Sequence, residues 1–225
     1  MSYFPISSKP DIFFSLLEPY GELRTFPKNH TLITHGNIPQ FCYLICHGQV
    51  IGYEILDSGN EAIYSIQERY ALFAEANLLT KSPVPVSFKT TQPCELLCID
   101  RPSLLLAMQN DSQLMTYMLE AISTKFIGAM DEVRNVKNHS AVWRLCELLH
   151  NFALRYGTLY DNKILIQERL SIQMFTSLLG VNRATTVRSL KLLRDLGLVE
   201  HINGYYCIRS LESLQRYQEL LENMK

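Results

Sequence analysis

The stretch LSIQMFTSLLGVNRATTVRSLKLLRDLGLVEHINGYYCI, residues 170–208, decides the fold of this chain. Ser171 stands at the start of an amphipathic run and is a preferred helix N-cap residue, and Gly180 is the residue type that ends helices in the left-handed conformation. Asn182 is a second N-cap, from which we expect a helix over 183–196. Two helices joined by so short a glycine turn predict a helix-turn-helix.

A β-hairpin is predicted directly after the second helix. Two apolar runs, 198–202 and 205–208, flank the dipeptide Asn203-Gly204. Asn-Gly between apolar strands is a strong hairpin signal because a type I′ turn needs a positive φ at both central residues. Helix, turn, helix and hairpin in this order predict a winged helix; two packed helices and a hairpin without a ligand are the alternative.

The second helix is predicted to have an inner apolar face and an outer basic face. Arginine can pair with guanine edges, threonine and alanine methyl groups can touch thymine methyl groups, and lysine can meet phosphate. The side chains expected to face outward are Ala184, Thr185, Arg188 and Lys191, and those expected to face inward are Thr186, Leu190 and Leu193. The full set of candidate DNA-binding residues is Ser171, Gln173, Asn182, Arg183, Ala184, Thr185, Arg188 and Lys191.

Positive charge is concentrated on this helix, although the chain as a whole has a net charge of only −1. Four basic residues, Arg183, Arg188, Lys191 and Arg194, stand between positions 181 and 197 against one acid, Asp195. A basic helix in a nearly neutral chain fits a protein that meets DNA through one element. A solvated helix face is the alternative explanation of the charge.

Residues 23–99 are predicted to be rich in β-strands. Short runs of β-branched and aromatic residues alternate there with turn signals such as His35-Gly36-Asn37 and His47-Gly48. Many short strands at close spacing indicate a sandwich or jelly roll. The expected strands are 41–45, 50–56, 62–66, 86–90 and 95–99.

A long helix is predicted over 112–136, after a short helix over 103–109. It would be about 38 Å long, more than one small β domain can cover, so we expect it to pair with its two-fold mate in a dimer. Packing on its own sheet is the alternative. The expected dimer-interface residues are Leu114, Met118, Ala121, Ile122, Ala129 and Val133. A polar hinge at 137–140, a helix over 141–156 and a polar loop over 157–163 should follow.

The run GVNRATTVRSL, residues 180–190, resembles the recognition helix of the CRP/FNR family of bacterial regulators, whose pattern is roughly G-V-S-R-E-T-V-x-R-x-L. Arg183 and Arg188 match the two arginines of the pattern, whereas Ala184 replaces its glutamate. Glutamate accepts a hydrogen bond from cytosine N4 and alanine cannot, so we expect thymine at that base position. The run 44–50, LICHGQV, is similar to the strand-turn-strand pattern of the family's β-roll.

The resemblance covers nearly the whole chain and implies an α+β architecture. Residues 1–110 would form a β-roll (double-stranded jelly roll) sensor domain, 111–137 a dimerisation helix and hinge, and 138–225 a winged helix-turn-helix domain. The implied function is a homodimeric transcription regulator that binds double-stranded DNA at an inverted repeat, with RNA polymerase as a candidate partner. The alternative is a small-molecule-binding regulatory module that acts by protein contact with a degenerate helix-turn-helix.

The nucleotide-binding members of this family hold ribose and phosphate with a G-E-L turn and an R-S/T pair. Here the corresponding stretch reads FAEANL at 73–78, so Glu75 remains but alanine replaces the glycine. The stretch 83–87 reads PVPVS and lacks the arginine, and a phosphate there would be desolvated without compensation. We therefore expect an effector that is not a cyclic nucleotide, or no effector. The expected pocket residues are Phe73, Ala74, Glu75, Val84 and Val86.

No metal, cofactor or enzyme site is predicted. Cys42 and Cys46, like Cys94 and Cys98, would lie about 13 Å apart along a strand, too far to chelate one metal ion. Buried thiols are expected, and one cysteine from each strand meeting as a redox or metal pair is the alternative. The first 41 residues contain no cysteine for an iron–sulfur cluster. The expected turn or surface histidines are His30, His35 and His47.

The chain is expected to be cytoplasmic and not membrane-bound. No apolar run approaches the roughly 18 residues that span a bilayer. Residues 1–11 lack the basic-then-apolar pattern of a signal peptide. Six cysteines without such a signal indicate reduced thiols rather than a disulfide framework.

Overall fold

The computed structural model describes residues 10–57 and 59–223, with side chains from residue 12 onward. Most of the N-terminal segment considered for a signal peptide therefore lies outside the described residues. The described chain divides into two compact units, 10–130 and 131–223. The division falls within the long helix, whereas the sequence places domain limits at 110 and 137.

The first unit contains eight strands in two antiparallel four-stranded sheets, which confirms the predicted β-roll. One sheet has the order β1-β8-β3-β6 and the other the order β2-β7-β4-β5. The strands are β1 (Glu22–Phe26), β2 (Thr31–Ile33), β3 (Phe41–His47), β4 (Val50–Ile55), β5 (Glu61–Gln67), β6 (Leu72–Phe73), β7 (Ser87–Thr90) and β8 (Cys94–Asp100).

Strand β3 is buried on both of its faces, which explains its nearly continuous apolar sequence. Tyr43 and Ile45 pack in the core between the sheets, while Cys42 and Leu44 pack in a second core beneath the helices. This alternation is the two-residue period of a β-strand. Gly48 ends the strand with φ +98, and a Cβ there would lie 2.7 Å from the carbonyl oxygen of Pro93, so the turn requires glycine.

Helices cover the outer face of the first sheet. Asp100 caps α3 by accepting a hydrogen bond from the Ser103 amide at 2.8 Å. Asp111 caps the long helix α4 by accepting from the Gln113 and Leu114 amides. The two helices confirm the sequence prediction, and two shorter ones were not predicted. The helices of this part of the chain are α1 (Pro10–Leu17), α2 (Glu75–Thr80), α3 (Arg101–Asn110) and α4 (Ser112–Asn138), and a 3-10 turn occupies Glu18–Tyr20.

The second unit is the predicted winged helix with two additions. Its sheet has the strand order β11-β12-β10-β9. The stretch predicted as a polar loop instead forms β9 and a tight turn, because Asp161 and Asn162 adopt the positive φ values, 49° and 57°, of a type I′ hairpin. Helix α8 was not predicted. The elements are α5 (Ala141–Tyr156), β9 (Gly157–Tyr160), β10 (Lys163–Ile166), α6 (Ile172–Leu179), α7 (Arg183–Asp195), β11 (Val199–Ile202), β12 (Tyr205–Ile208) and α8 (Leu211–Asn223).

Across residues 10–57 and 59–223, none of the helices combines the length and the apolar character that crossing a membrane requires.

Candidate nucleic-acid interface

Helices α6 and α7 are fixed at their ends by the residues that the sequence identified. The Ser171 hydroxyl accepts a hydrogen bond from the Met174 amide at 3.0 Å, and the Asn182 side chain accepts from the Thr185 amide at 2.8 Å. Gly180 lies between the helices with φ 60°. The predicted caps and turn are therefore confirmed, and the side-chain oxygens of Ser171 and Asn182 hold the two helix N-termini in place.

The inner face of α7 is locked against α6. Thr186 is fully buried and its hydroxyl lies 3.0 Å from the hydroxyl of Thr176. Leu190 and Leu193 are also buried, as predicted. This hydrogen bond favours one register between the helices, and each hydroxyl also lies within hydrogen-bond distance of a carbonyl oxygen one turn earlier in its own chain segment.

A buried arginine that the sequence analysis missed supports this two-helix unit. Arg144 of α5 donates from Nη1 to the carbonyl oxygen of Leu179 at 2.8 Å, at the end of α6. The last carbonyl groups of a helix have no partner within the helix, and a cation satisfies them well. A lone arginine in an amphipathic helix gives no sequence signal for this role, because its partner is a backbone atom 35 residues away.

The outer face of α7 is exposed and positive. Arg183, Ala184, Arg188 and Lys191 are exposed, and residues 183–194 include no carboxylate. Thr185 was predicted to face outward with them but is half-buried. Its hydroxyl accepts from Nη2 of Arg188 at 3.3 Å, so it positions that arginine instead. Gln173 is exposed on the first turn of α6.

The expected effector-pocket residues lie in the packed core of the β-roll. Phe73 is buried and stacks between Tyr43 and Phe88, with ring centroids 5.1 Å apart in each pair. Ala74 and Val84 are buried in the same core, and Val86 packs against it. Four of the five residues therefore lie together, but aromatic rings fill the space between them. An effector there would have to displace packed side chains.

Glu75, the fifth expected pocket residue, is directed away from that core. Its carboxylate is 3% exposed and Oε1 lies 2.7 Å from Nζ of Lys125 on α4. The same ammonium group donates to the carbonyl oxygen of Leu72 at 2.6 Å. The residue before it, Ala74, adopts φ 63°, a left-handed conformation that favours glycine. The carboxylate of this turn therefore binds the long helix.

The prediction that Leu114 and Met118 form a dimer interface is wrong. Both are fully buried in the core of their own unit, beneath the helices. Ala121 and Ile122 are half-buried, while Ala129 and Val133 are exposed. The helix has two apolar stripes, and the predicted dimer interface combines residues from both.

The exposed stripe of α4, here called the seam, has the spacing of a coiled coil. Its residues follow one another at alternating intervals of four and three, and Leu119 and Phe126 are 61% and 65% exposed. Apolar side chains at this spacing along a surface helix are typical of a helix–helix interface. The seam consists of Met115, Leu119, Ile122, Phe126, Ala129, Val133 and Val136.

The cysteines form no pair. All six are free. Cys98 pairs in register with Tyr43, one position from Cys42, but Cys42 packs beneath the helices and Cys98 packs between the sheets. Burial raises the pKa of Cys98 to about 11 and that of Cys146 to about 12. Nowhere in the described chain do three or more histidine, cysteine or acidic side chains gather as metal ligands. His30, His35 and His47 are exposed, as predicted.

Comparison with known proteins agrees with this architecture. Residues 23–111 match the family model of the cyclic nucleotide-binding domain. No curated protein matches the chain. The solved structures that resemble it include a mutant of CooA from Carboxydothermus hydrogenoformans, with a TM-score of 0.75, 16% identity and coverage of 89% of this chain and 88% of that one. The regulator CLP of Xanthomonas campestris has a TM-score of 0.74 and 18% identity, with coverage of 89% of this chain and 99% of CLP. TTHA1359 of Thermus thermophilus is a transcriptional regulator of the CRP/FNR family. It has a TM-score of 0.72 and 14% identity, with coverage of 88% of this chain and 98% of TTHA1359.

Proposed function

Because the chain has the fold of the CRP/FNR transcription regulators and carries a cyclic nucleotide-binding domain at residues 23–111, we propose that it is a transcription regulator that binds a specific DNA sequence as a homodimer. Helix α7 would enter the major groove. The β-roll would respond to an effector, and α4 would transmit that response to the winged helix. RNA polymerase is the candidate protein partner at a promoter.

The observation that carries the proposal is the two-faced character of α7. Its inner face is held by the buried side chains of Thr186, Leu190 and Leu193, which give the helix a fixed orientation within its unit. Its outer face offers exposed cations without a carboxylate over residues 183–194. Arg188 has the forked donor geometry that pairs with O6 and N7 of guanine, and Lys191 suits a phosphate. Rigid presentation of donors is what base readout requires, because each misplaced donor leaves a polar group unpaired.

The proposal that two copies act together rests on the seam. A monomer would leave six exposed apolar positions of one helix, and the exposed part of Ile122, in water, and a second copy of α4 would bury them. A two-fold pair presents the same face of α7 twice, so the expected operator is an inverted repeat. Its half-sites should lie about 34 Å apart, one turn of DNA.

The proposed effector is not a cyclic nucleotide. The stretch 83–87 has no cation, and the carboxylate of Glu75 is held by Lys125 rather than directed at a ligand. Relatives of this fold differ in their ligands: CLP is described as c-di-GMP responsive, and a CprK structure contains OCPA. The packed core around Phe73 is apolar and aromatic, so an effector that displaced its side chains would have to be apolar or aromatic itself.

Selection from random DNA tests the proposed function. The full chain is incubated with duplexes that carry about 30 random base pairs, enough for two half-sites one helical turn apart. We expect enrichment of one inverted repeat, with binding that weakens as salt is added. Weak binding without an enriched sequence would contradict the proposal and favour the alternative, a regulatory module that acts by protein contact.

A melting experiment tests the effector proposal separately. A ligand that binds the folded chain raises its melting temperature with concentration. Cyclic AMP and cyclic GMP at millimolar concentration should leave the melting temperature unchanged. A rise that grows with nucleotide concentration would show that the site binds a phosphate despite lacking the arginine.

A further inference from the structure

The outer face of α7 carries two apolar side chains among its cations. Ala184 and Val187 are three residues apart and therefore neighbours on the helix surface. Val187 is 37% exposed and was not among the predicted DNA-binding residues. It lies one turn after Arg183 and one turn before Lys191, so the apolar pair occupies the middle of the basic face.

Val187 lies outside the buried face of α7. The fully buried side chains of α7 are Thr186, Ser189, Leu190 and Leu193, whereas Val187 keeps 37% of its surface exposed. Valine is a weaker helix former than lysine or glutamate because its branched side chain loses rotamer freedom. An exposed helix position would therefore favour a long polar residue unless the apolar surface meets something.

In the major groove the only apolar group on a base edge is the C5 methyl group of thymine. Pressing alanine and valine against cytosine N4 or guanine O6 would desolvate a polar group without a partner. The two Cβ atoms are about 5–6 Å apart, which corresponds to one to two base steps of about 3.4 Å along a strand. The spacing therefore suits two neighbouring thymines.

We propose that Ala184 and Val187 form a thymine-reading pair, which recognises the C5 methyl groups of two nearby thymines beside the base that Arg188 contacts. The inference rests on the proposed function, since it requires α7 to lie in the major groove. It adds a base preference that the basic residues alone do not give, because arginine and lysine select guanine or bind phosphate.

Removing single methyl groups from the DNA tests the pair. In the duplex enriched by selection, each thymine of one half-site is replaced by deoxyuridine, which lacks only the C5 methyl group. Burying one such carbon is equivalent to about a fourfold change in affinity. The wild-type chain should lose about fourfold at each of two neighbouring positions and nothing at thymines outside the half-sites.

A variant of the chain tests whether Val187 causes one of these two fourfold losses of affinity. The Val187→Ser variant should bind the thymine and the deoxyuridine duplex equally at one of the two positions. The control is Leu192→Ala, which removes another exposed apolar side chain of α7 and should retain both fourfold losses. Circular dichroism checks that both variants keep their helices, which we expect because both side chains are exposed.

The possible outcomes distinguish failure of the thymine-reading pair from failure of the proposed function. Sequence-specific binding with no loss on deoxyuridine substitution would overturn the thymine-reading pair and leave the proposed function standing. If the Val187→Ser variant still loses affinity at both positions, the role of Val187 is overturned and the proposed function still stands. Failure of the chain to enrich any sequence would remove both proposals together.

Discussion

Nζ of Lys125 lies 2.7 Å from Oε1 of Glu75, and this ion pair joins the long helix to the short turn that begins α2. The same ammonium group donates to the carbonyl oxygen of Leu72. The carboxylate side chain is 3% exposed and the lysine side chain 29%. A single cation therefore satisfies two acceptors at this turn of the β-roll.

Replacing Lys125 with methionine should destabilise the chain. The variant leaves a buried carboxylate and a carbonyl oxygen without their donor, and breaking a buried pair in this way costs about 3–5 kcal/mol. Because the lysine is partly exposed, we expect a loss of about 2–3 kcal/mol in the free energy of unfolding in urea. The double variant Lys125→Met/Glu75→Gln should recover part of it.

The matched control is Arg216→Met on α8. Arg216 and Glu212 form an ion pair of similar length, but their side chains are 74% and 71% exposed. Removing such a surface pair should cost less than about 0.5 kcal/mol. Equal losses in the two variants would contradict the role assigned to Lys125.

Glycine should be tolerated better at position 74 than at an alanine of ordinary conformation. Ala74 has φ 63°, and a left-handed conformation costs a residue with a Cβ about 1–2 kcal/mol. Ala62 is equally buried, at 7% exposure, but lies in strand β5. In urea unfolding, Ala74→Gly should be at least about 1 kcal/mol less destabilising than Ala62→Gly. Equal losses would show that position 74 carries no strain.

A charge in the seam should separate the dimer. Phe126 lies at its middle, and Phe126→Glu would place two carboxylates against apolar side chains in the paired helices. Sedimentation equilibrium should give a dimer for the wild-type chain and a single chain of 25.9 kDa for the variant. Thr124→Glu, on an exposed position outside the seam, should remain a dimer. A wild-type monomer would contradict the proposed assembly.

Stability should fall at alkaline pH because of the buried thiols. Cys98 has a pKa of about 11 in the folded chain against an ordinary value of 9.0, since burial disfavours the thiolate. Between pH 9 and 11 the unfolded chain releases this proton and the folded chain keeps it, so the free energy of unfolding decreases as pH rises. Urea titrations should show full stability below pH 9 and a steady loss above it. Cys98→Ala should make that loss less steep; an unchanged slope would contradict the assignment.

Local signals explain why the winged helix could be predicted from sequence. Ser171, Gly180 and Asn182 act on backbone atoms within three or four residues of themselves, and each has the predicted conformation or hydrogen bond. Asn203 and Gly204 adopt the two positive φ values, 52° and 88°, of the predicted hairpin turn. Interactions between residues this close along the chain can be recognised from the sequence alone.

The orientation of α4 could not be predicted in the same way. The stripe through Leu114 and Met118 and the seam through Phe126 are both apolar at helical spacing. Periodicity identifies an amphipathic helix but not which of two apolar faces meets its own sheet. That choice depends on contacts with residues far away in sequence, as does the pairing of Lys125 with a glutamate 50 positions earlier.

Protection of guanine N7 from methylation tests the central claim most directly, because this atom lies in the major groove. Dimethyl sulfate is applied to the selected duplex with the wild-type chain and with Arg188→Ala. The account predicts two protected segments about one helical turn apart for the wild-type chain, and loss of that protection in the variant. Protection that is confined to one segment, or that Arg188→Ala leaves unchanged, would contradict the placement of α7 in two successive major grooves.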